Sequence, residues 1–149
     1  MSPRGDPPGF VKVLDDRTIL IPDRPGNRRV DSMTNRLANP AVALLFCVPG
    51  VDETLRVNGR AGLLRDPEAL AHMAVDGKAP MLAIRVEIDE VFFHCGKALL
   101  RARLWDPRRW IDRQQFPSMG RLMHEQTKSD LPMEAMERSI EDGYRNELY

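Results

Sequence analysis

The chain has 149 residues, 42% of them hydrophobic and 30% charged, which suits a soluble domain large enough to bury a core. Lys+Arg and Asp+Glu balance at 22 each, so no global field points to nucleic acid or to an anionic membrane as a partner. The longest apolar run, 41–49, falls far short of the roughly 20 residues of a membrane span, and the N-terminus carries no apolar signal region. Cys47 and Cys95 stand apart with no Cys-x-x-Cys spacing, which argues against a disulfide framework or a zinc site and fits a cytoplasmic location.

Phe10–Leu14 reads as a strand, Asp15-Asp16-Arg17 as a turn, and Thr18–Pro22, rich in β-branched residues, as the second strand of a hairpin. Val30, Met33 and Leu37 fall at i, i+3 and i+7, which predicts a helix with Asn27 as N-cap and Asn39-Pro40 as its stop. Ala41–Val48, apolar on both faces and bounded by prolines, reads as a buried central strand. Glu53–Ala61 alternates, with Leu55 and Val57 inward and Arg56, Asn58 and Arg60 outward. Asp66-Pro67 opens a short helix reaching Asp76, and Ile84, Val86 and Ile88 place one face of a strand within Met81–His94.

Gly96–Leu100 reads as a helical turn leading to Trp105, and the pattern from Arg108 to Pro132 is irregular. Met133–Leu148 is an amphipathic helix with Met133, Met136, Ile140 and Tyr144 on one stripe, expected to dock on the body or on a partner. Five strand signals, joined by hairpins and interspersed with helices, predict a mainly β protein: an antiparallel β-barrel with added helices, one domain over 1–149.

Basic residues gather locally, at Arg24, Arg28, Arg29 and Arg36 and again at Lys97, Arg101 and Arg103. The first group lies in Ile21–Val30, I-P-D-R-P-G-N-R-R-V, between a strand and a helix. A helix's first turn offers unpaired N–H groups and the positive end of its dipole, Gly26 permits close approach, and the Asn27 amide with Arg28 and Arg29 adds donors. Arg24 could reach in from the strand end. From the residues alone the segment is either an ordinary solvated turn or a pocket for an anion.

No Walker loop, G-x-G-x-x-G, G-x-S-x-G or His-Glu-x-x-His is present. His94-Cys95 reads as a strand-end histidine and a buried thiol, and His72 and His124 have no ligand spacing with it, so no metal site is expected. Trp105 and Trp110 read as core aromatics or as the cover of a flat ligand.

The runs S-P-R-G-D-P-P-G-F-V (Ser2–Val11), L-I-P-D-R-P-G-N-R-R-V-D-S (Leu20–Ser32), N-P-A-V-A-L-L-F (Asn39–Phe46) and E-T-L-R-V-N-G-R-A (Glu53–Ala61) resemble the pyridoxamine 5′-phosphate oxidase-like family. F-F-H-C-G-K-A-L-L-R (Phe92–Arg101) and L-W-D-P (Leu104–Pro107) make the chain similar to a bacterial subgroup of its FMN-binding split-barrel proteins. The resemblance implies a split β-barrel homodimer with FMN at the subunit interface, acting as an oxidoreductase on a small-molecule substrate. It implies that Asn27, Arg28 and Arg29 stand where the family's Ser-Arg-Lys grips the FMN phosphate. Pro22 and Asp23 would lie at the strand end beside the flavin ring, and Ser2, Arg4 and Gly5 on a strand facing it. Lys12 matches a family lysine, Thr54 a flavin-contacting glutamine, and Lys97 and Trp105 would come from the second subunit.

The pattern opens at Ser2, so the barrel is expected to lack its first strand and to have an open edge. The C-terminal segment by which the oxidases themselves bind substrate phosphate is not recognisable, so pyridoxal phosphate synthesis is not the expected reaction. Bound FMN would carry the hydride chemistry, which leaves the catalytic residues unassigned. The alternative is a non-catalytic protein that stores or senses a flavin, a deazaflavin or haem.

Overall fold

A computed structural model describes residues 2–26 and 30–148. The chain divides into two compact units, Met1–Trp105 and Asp106–Tyr149.

The first unit is built on a five-stranded antiparallel sheet: β1 Lys12–Asp15, β2 Thr18–Pro22, β3 Ala41–Phe46, β4 Thr54–Leu64 and β5 Ala83–His94. The strand order is β1-β2-β5-β4-β3, which puts the longest strand in the middle. The β1–β2 hairpin is closed at Asp16-Arg17, where the Arg17 N–H donates to Asp15 Oδ1 at 2.8 Å. Period-two alternation then decides the faces. Ile19 and Ile21 pair with Val86 and Ile84 across β2–β5; Ile19, Ile21, Val86 and Ala61 form the inner core, and half-buried Ile84 packs against it. Phe10 and Val11 near one edge, and Val42, Leu44 and Phe46 on the other, pack against that same cluster. The sheet therefore curls around one core, the mainly β architecture with added helices that the alternation predicts.

On the opposite face Leu20 and Ala83 are covered by Leu70 and Met73. Leu70 belongs to α2, Pro67–Ala71, whose N-terminus is capped by Asp66 accepting from the Ala69 N–H at 2.9 Å. The other helices of this unit are α1, Asp31–Ala38, and α3, Lys97–Ala102.

Several expectations are corrected. Ala41–Phe46 is an edge strand rather than a central one, with exposed and half-buried residues alternating along it. α1 starts at Asp31 with Val30 as its N-cap and no side-chain cap, so the cap does not fall at Asn27. Residues 2–6 form no strand; they run as an irregular strap. The helix opened by Pro67 stops at Ala71, well before Asp76.

The second unit is more ordered than its sequence pattern suggests. Asp106 and Asp112 cap two 3-10 turns, Pro107–Arg109 and Arg113–Gln115, each carboxylate accepting a main-chain N–H two residues on. Ser118 caps α4, Met119–Thr127, and α5 spans Met133–Asn146. The two helices pack with Gly120 close against Glu137.

Candidate functional site

The strap of residues 2–6 is fastened to the end of β2 by two crossed ion pairs. Arg4 Nη1 meets Asp23 Oδ1, and Arg24 Nε donates to Asp6 Oδ2 at 2.5 Å. Arg24 also donates from Nη2 to the Met73 carbonyl at 2.6 Å, so one guanidinium joins the strap, the β2 end and the segment after α2. The two pairs differ in exposure: Asp6 and Arg24 side chains are 1% and 13% exposed, whereas Arg4 and Asp23 are each 25% exposed. Asp23 continues the β-ladder, its N–H donating to the Leu82 carbonyl at 3.0 Å. Ser32 Oγ donates to Ser2 Oγ at 3.2 Å, which brings the start of α1 to the strap.

Of the residues singled out by sequence, Ser2, Arg4, Gly5, buried Pro22, Asp23 and Arg24 thus come together at one end of the sheet. Asn27, Arg28 and Arg29 lie outside the described residues; the flanking strand ends at Pro22 and the flanking helix begins at Asp31. Lys12, at the start of β1, donates to the Gly9 carbonyl at 3.1 Å. With Arg24 and His72 it lines a cavity of about 110 Å³ beside the Pro7-Pro8-Gly9 turn, where Gly9 has φ +86°.

Thr54, Lys97 and Trp105 belong elsewhere. Thr54 opens β4 opposite His94, at the far end of the ladder. Trp105 Nε1 donates to the Val51 carbonyl at 2.9 Å, and a Cβ on Gly96 would lie 2.6 Å from the Asp52 Cβ, so the chain entering α3 packs onto the loop that precedes β4. Lys97 is the exposed first residue of α3. Leu64, at the other end of β4, registers with Ala83, which in turn registers with Pro22. Ten residues of β4 at about 3.3 Å each put on the order of 30 Å between the two groups. One chain does not bring them together.

Two residues with clear roles escaped the sequence reading. Asp6 sits in the strap with nothing in its spacing to announce a partner 18 positions away. Arg36 stands out in the sequence only as one of a basic group; in the last turn of α1, it ties that helix to β4 by donating from Nη1 to the Ala61 carbonyl. Its Nε is buried with no hydrogen-bond partner among the described atoms. Cys95, expected to be buried, is an exposed free thiol, as is Cys47. Among the described residues no cluster of His, Cys, Asp or Glu could hold a metal ion, and no helix is long and apolar enough to cross a membrane.

The family model described as pyridoxamine 5′-phosphate oxidase matches residues 2–95, and the chain belongs to that family. Among solved structures it is similar to HupZ from Group A Streptococcus, with 16% identity, a TM-score of 0.45, and coverage of 56% of this chain and 68% of that one. It is also similar to a Lactobacillus delbrueckii protein bearing the pyridoxamine 5′-phosphate oxidase name, with 22% identity, a TM-score of 0.41, and coverage of 56% and 68%. No curated protein matches the chain.

Proposed function

We propose that the chain is a cytoplasmic FMN-dependent oxidoreductase that works as a homodimer on a small-molecule substrate. The observation that carries this reading is the separation of the candidate residues into two groups at opposite ends of the β4–β5 ladder. A flavin site that needs both groups needs two chains, one giving the strap and the β2 end, the other giving Lys97 and Trp105.

The donor set suits FMN. Arg4 spends one nitrogen on Asp23, and a guanidinium carries five N–H donors, so it can serve a further acceptor. Arg24 is held by Asp6 and the Met73 carbonyl, so it shapes the site by fixing the strap. Arg28 and Arg29 would then supply charge for the phosphate at the start of α1. Buried Thr54 offers a hydroxyl, and half-buried Trp105 offers a ring face, its N–H being used by Val51. FMN, when bound, supplies the electron and hydride chemistry, and the chain's residues hold and orient it.

The test is titration of the purified chain with FMN, followed by anaerobic addition of NADH or NADPH. Saturable binding and bleaching of the flavin band are expected. Flavin bound but never reduced by either nicotinamide points to the storage or sensing alternative, and failure to bind FMN removes the reading.

A further inference from the structure

Resting on that reading, we propose that Asp23 is an internal counter-ion, holding Arg4 until a phosphate monoester takes its place. The two crossed ion pairs at the strap are unequal. Asp6–Arg24 is nearly sealed from water, and Arg24 is further tied to the Met73 carbonyl, so that joint is fixed. Removing either member would strand a buried charge.

Arg4–Asp23 is the outer pair, a quarter exposed on both sides and made through one guanidinium nitrogen. A pair of this exposure is worth a factor of only about two to five in an equilibrium constant. A phosphate presents several oxygens to the guanidinium fork and can receive two parallel hydrogen bonds from it, the stronger arrangement. Exchange is therefore favourable for an anion. A neutral ligand can accept only from the nitrogens that Asp23 leaves spare and brings no charge to replace the carboxylate, so the pair stays closed.

The backbone of Asp23 cannot leave with its side chain, because its N–H is held by the Leu82 carbonyl. Only the carboxylate swings aside, while the inner pair keeps the strap and Arg4 in position. The contact works as a charge filter at the end of β2. It lowers affinity for every anion by a fixed amount and leaves neutral ligands untouched.

The experiment titrates wild type, Asp23→Asn and the double variant Asp23→Asn/Arg4→Ala with three probes: FMN, riboflavin and inorganic phosphate. Asp23→Asn should bind FMN and phosphate about two- to fivefold more tightly, with riboflavin unchanged, and the double variant should lose the gain. Should Asp23→Asn fail to fold, Asp23→Ser makes the same comparison. If phosphate shows the gain but no form binds FMN, the counter-ion stands and the flavin reading falls. If FMN binds wild type and Asp23→Asn equally, or binds the variant more weakly, the counter-ion is overturned and the flavin reading stands.

Discussion

Gly59 in β4 faces the main-chain carbonyl of Glu87 in β5 with no room for a side chain between them. A Cβ at Gly59 would collide with the carbonyl oxygen and lie 3.1 Å from the carbonyl carbon and 3.2 Å from the Ile88 Cα. This is where the ladder register slips, between Asn58 and Gly59. The obstacle is backbone, so it cannot rotate away. Gly59→Ala should destabilise the first unit by about 2–4 kcal/mol, read as a lowered urea midpoint. A variant within about 0.5 kcal/mol of wild type would contradict the close approach.

The β1–β2 turn carries a pH-dependent element. The Arg17 main-chain N–H bonded to Asp15, opposed by some desolvation and helped by Thr18 and Arg85, holds the Asp15 carboxyl below its ordinary value of 3.8. A carboxyl depressed in the folded state stabilises it above the ordinary value, and that contribution disappears as pH falls through the folded value. Wild type and Asp15→Ala should therefore differ in urea midpoint at pH 7, and the difference should shrink as pH falls below the ordinary value of 3.8. A difference that persists unchanged in acid would assign the effect to packing.

In the second unit, a Cβ on Gly120 would lie 2.7 Å from the Glu137 Cα and 2.9 Å from its nitrogen. Ser118 also donates to Glu137 at this crossing. Gly120→Ala should push α4 off α5, costing that packing about 1–3 kcal/mol. Faster amide exchange over 119–127 and 133–146 is the expected signature, and unchanged exchange would show that the helices have slack.

Arg28 and Arg29 lie between the end of β2 and the start of α1, the position proposed for the phosphate. Replacing both with alanine should weaken FMN binding by about 2–5 kcal/mol and leave riboflavin binding nearly unchanged. Equal losses for both ligands would move the phosphate elsewhere.

What could be read in the sequence was what composition and short-range alternation encode. Thr18–Pro22 is marked by its β-branched residues and the Ile84, Val86, Ile88 face by side chains two apart, and the structure keeps both, the first buried along its whole length. Ala41–Phe46 shows the limit: an all-apolar strand looks central, but its place depends on which strands arrive on either side, and among the described residues only β4 does. Leu45, on the face turned away from Val42, Leu44 and Phe46, is 59% exposed. At the candidate site the arginines could be picked out, but their partners could not. Asp6 meets Arg24 only because the strap folds back over the β2 end, a contact with no local period. The division of the site between two sheet ends was likewise hidden, since it depends on the register of β4 with β5.

The strand order has a consequence for how the protein comes to be made. Of these five strands β5 is synthesised last yet lies in the middle, joining β2 on one side to β4 on the other. Until residue 94 is available the β1–β2 and β3–β4 hairpins have no shared partner, and two isolated hairpins are marginal in water. The sheet therefore closes late, around contacts such as Ile19 with Val86 that span more than half of the first unit. Folding should be slow for a chain of this size, and the half-made sheet should be exposed to aggregation at the ribosome until its centre arrives.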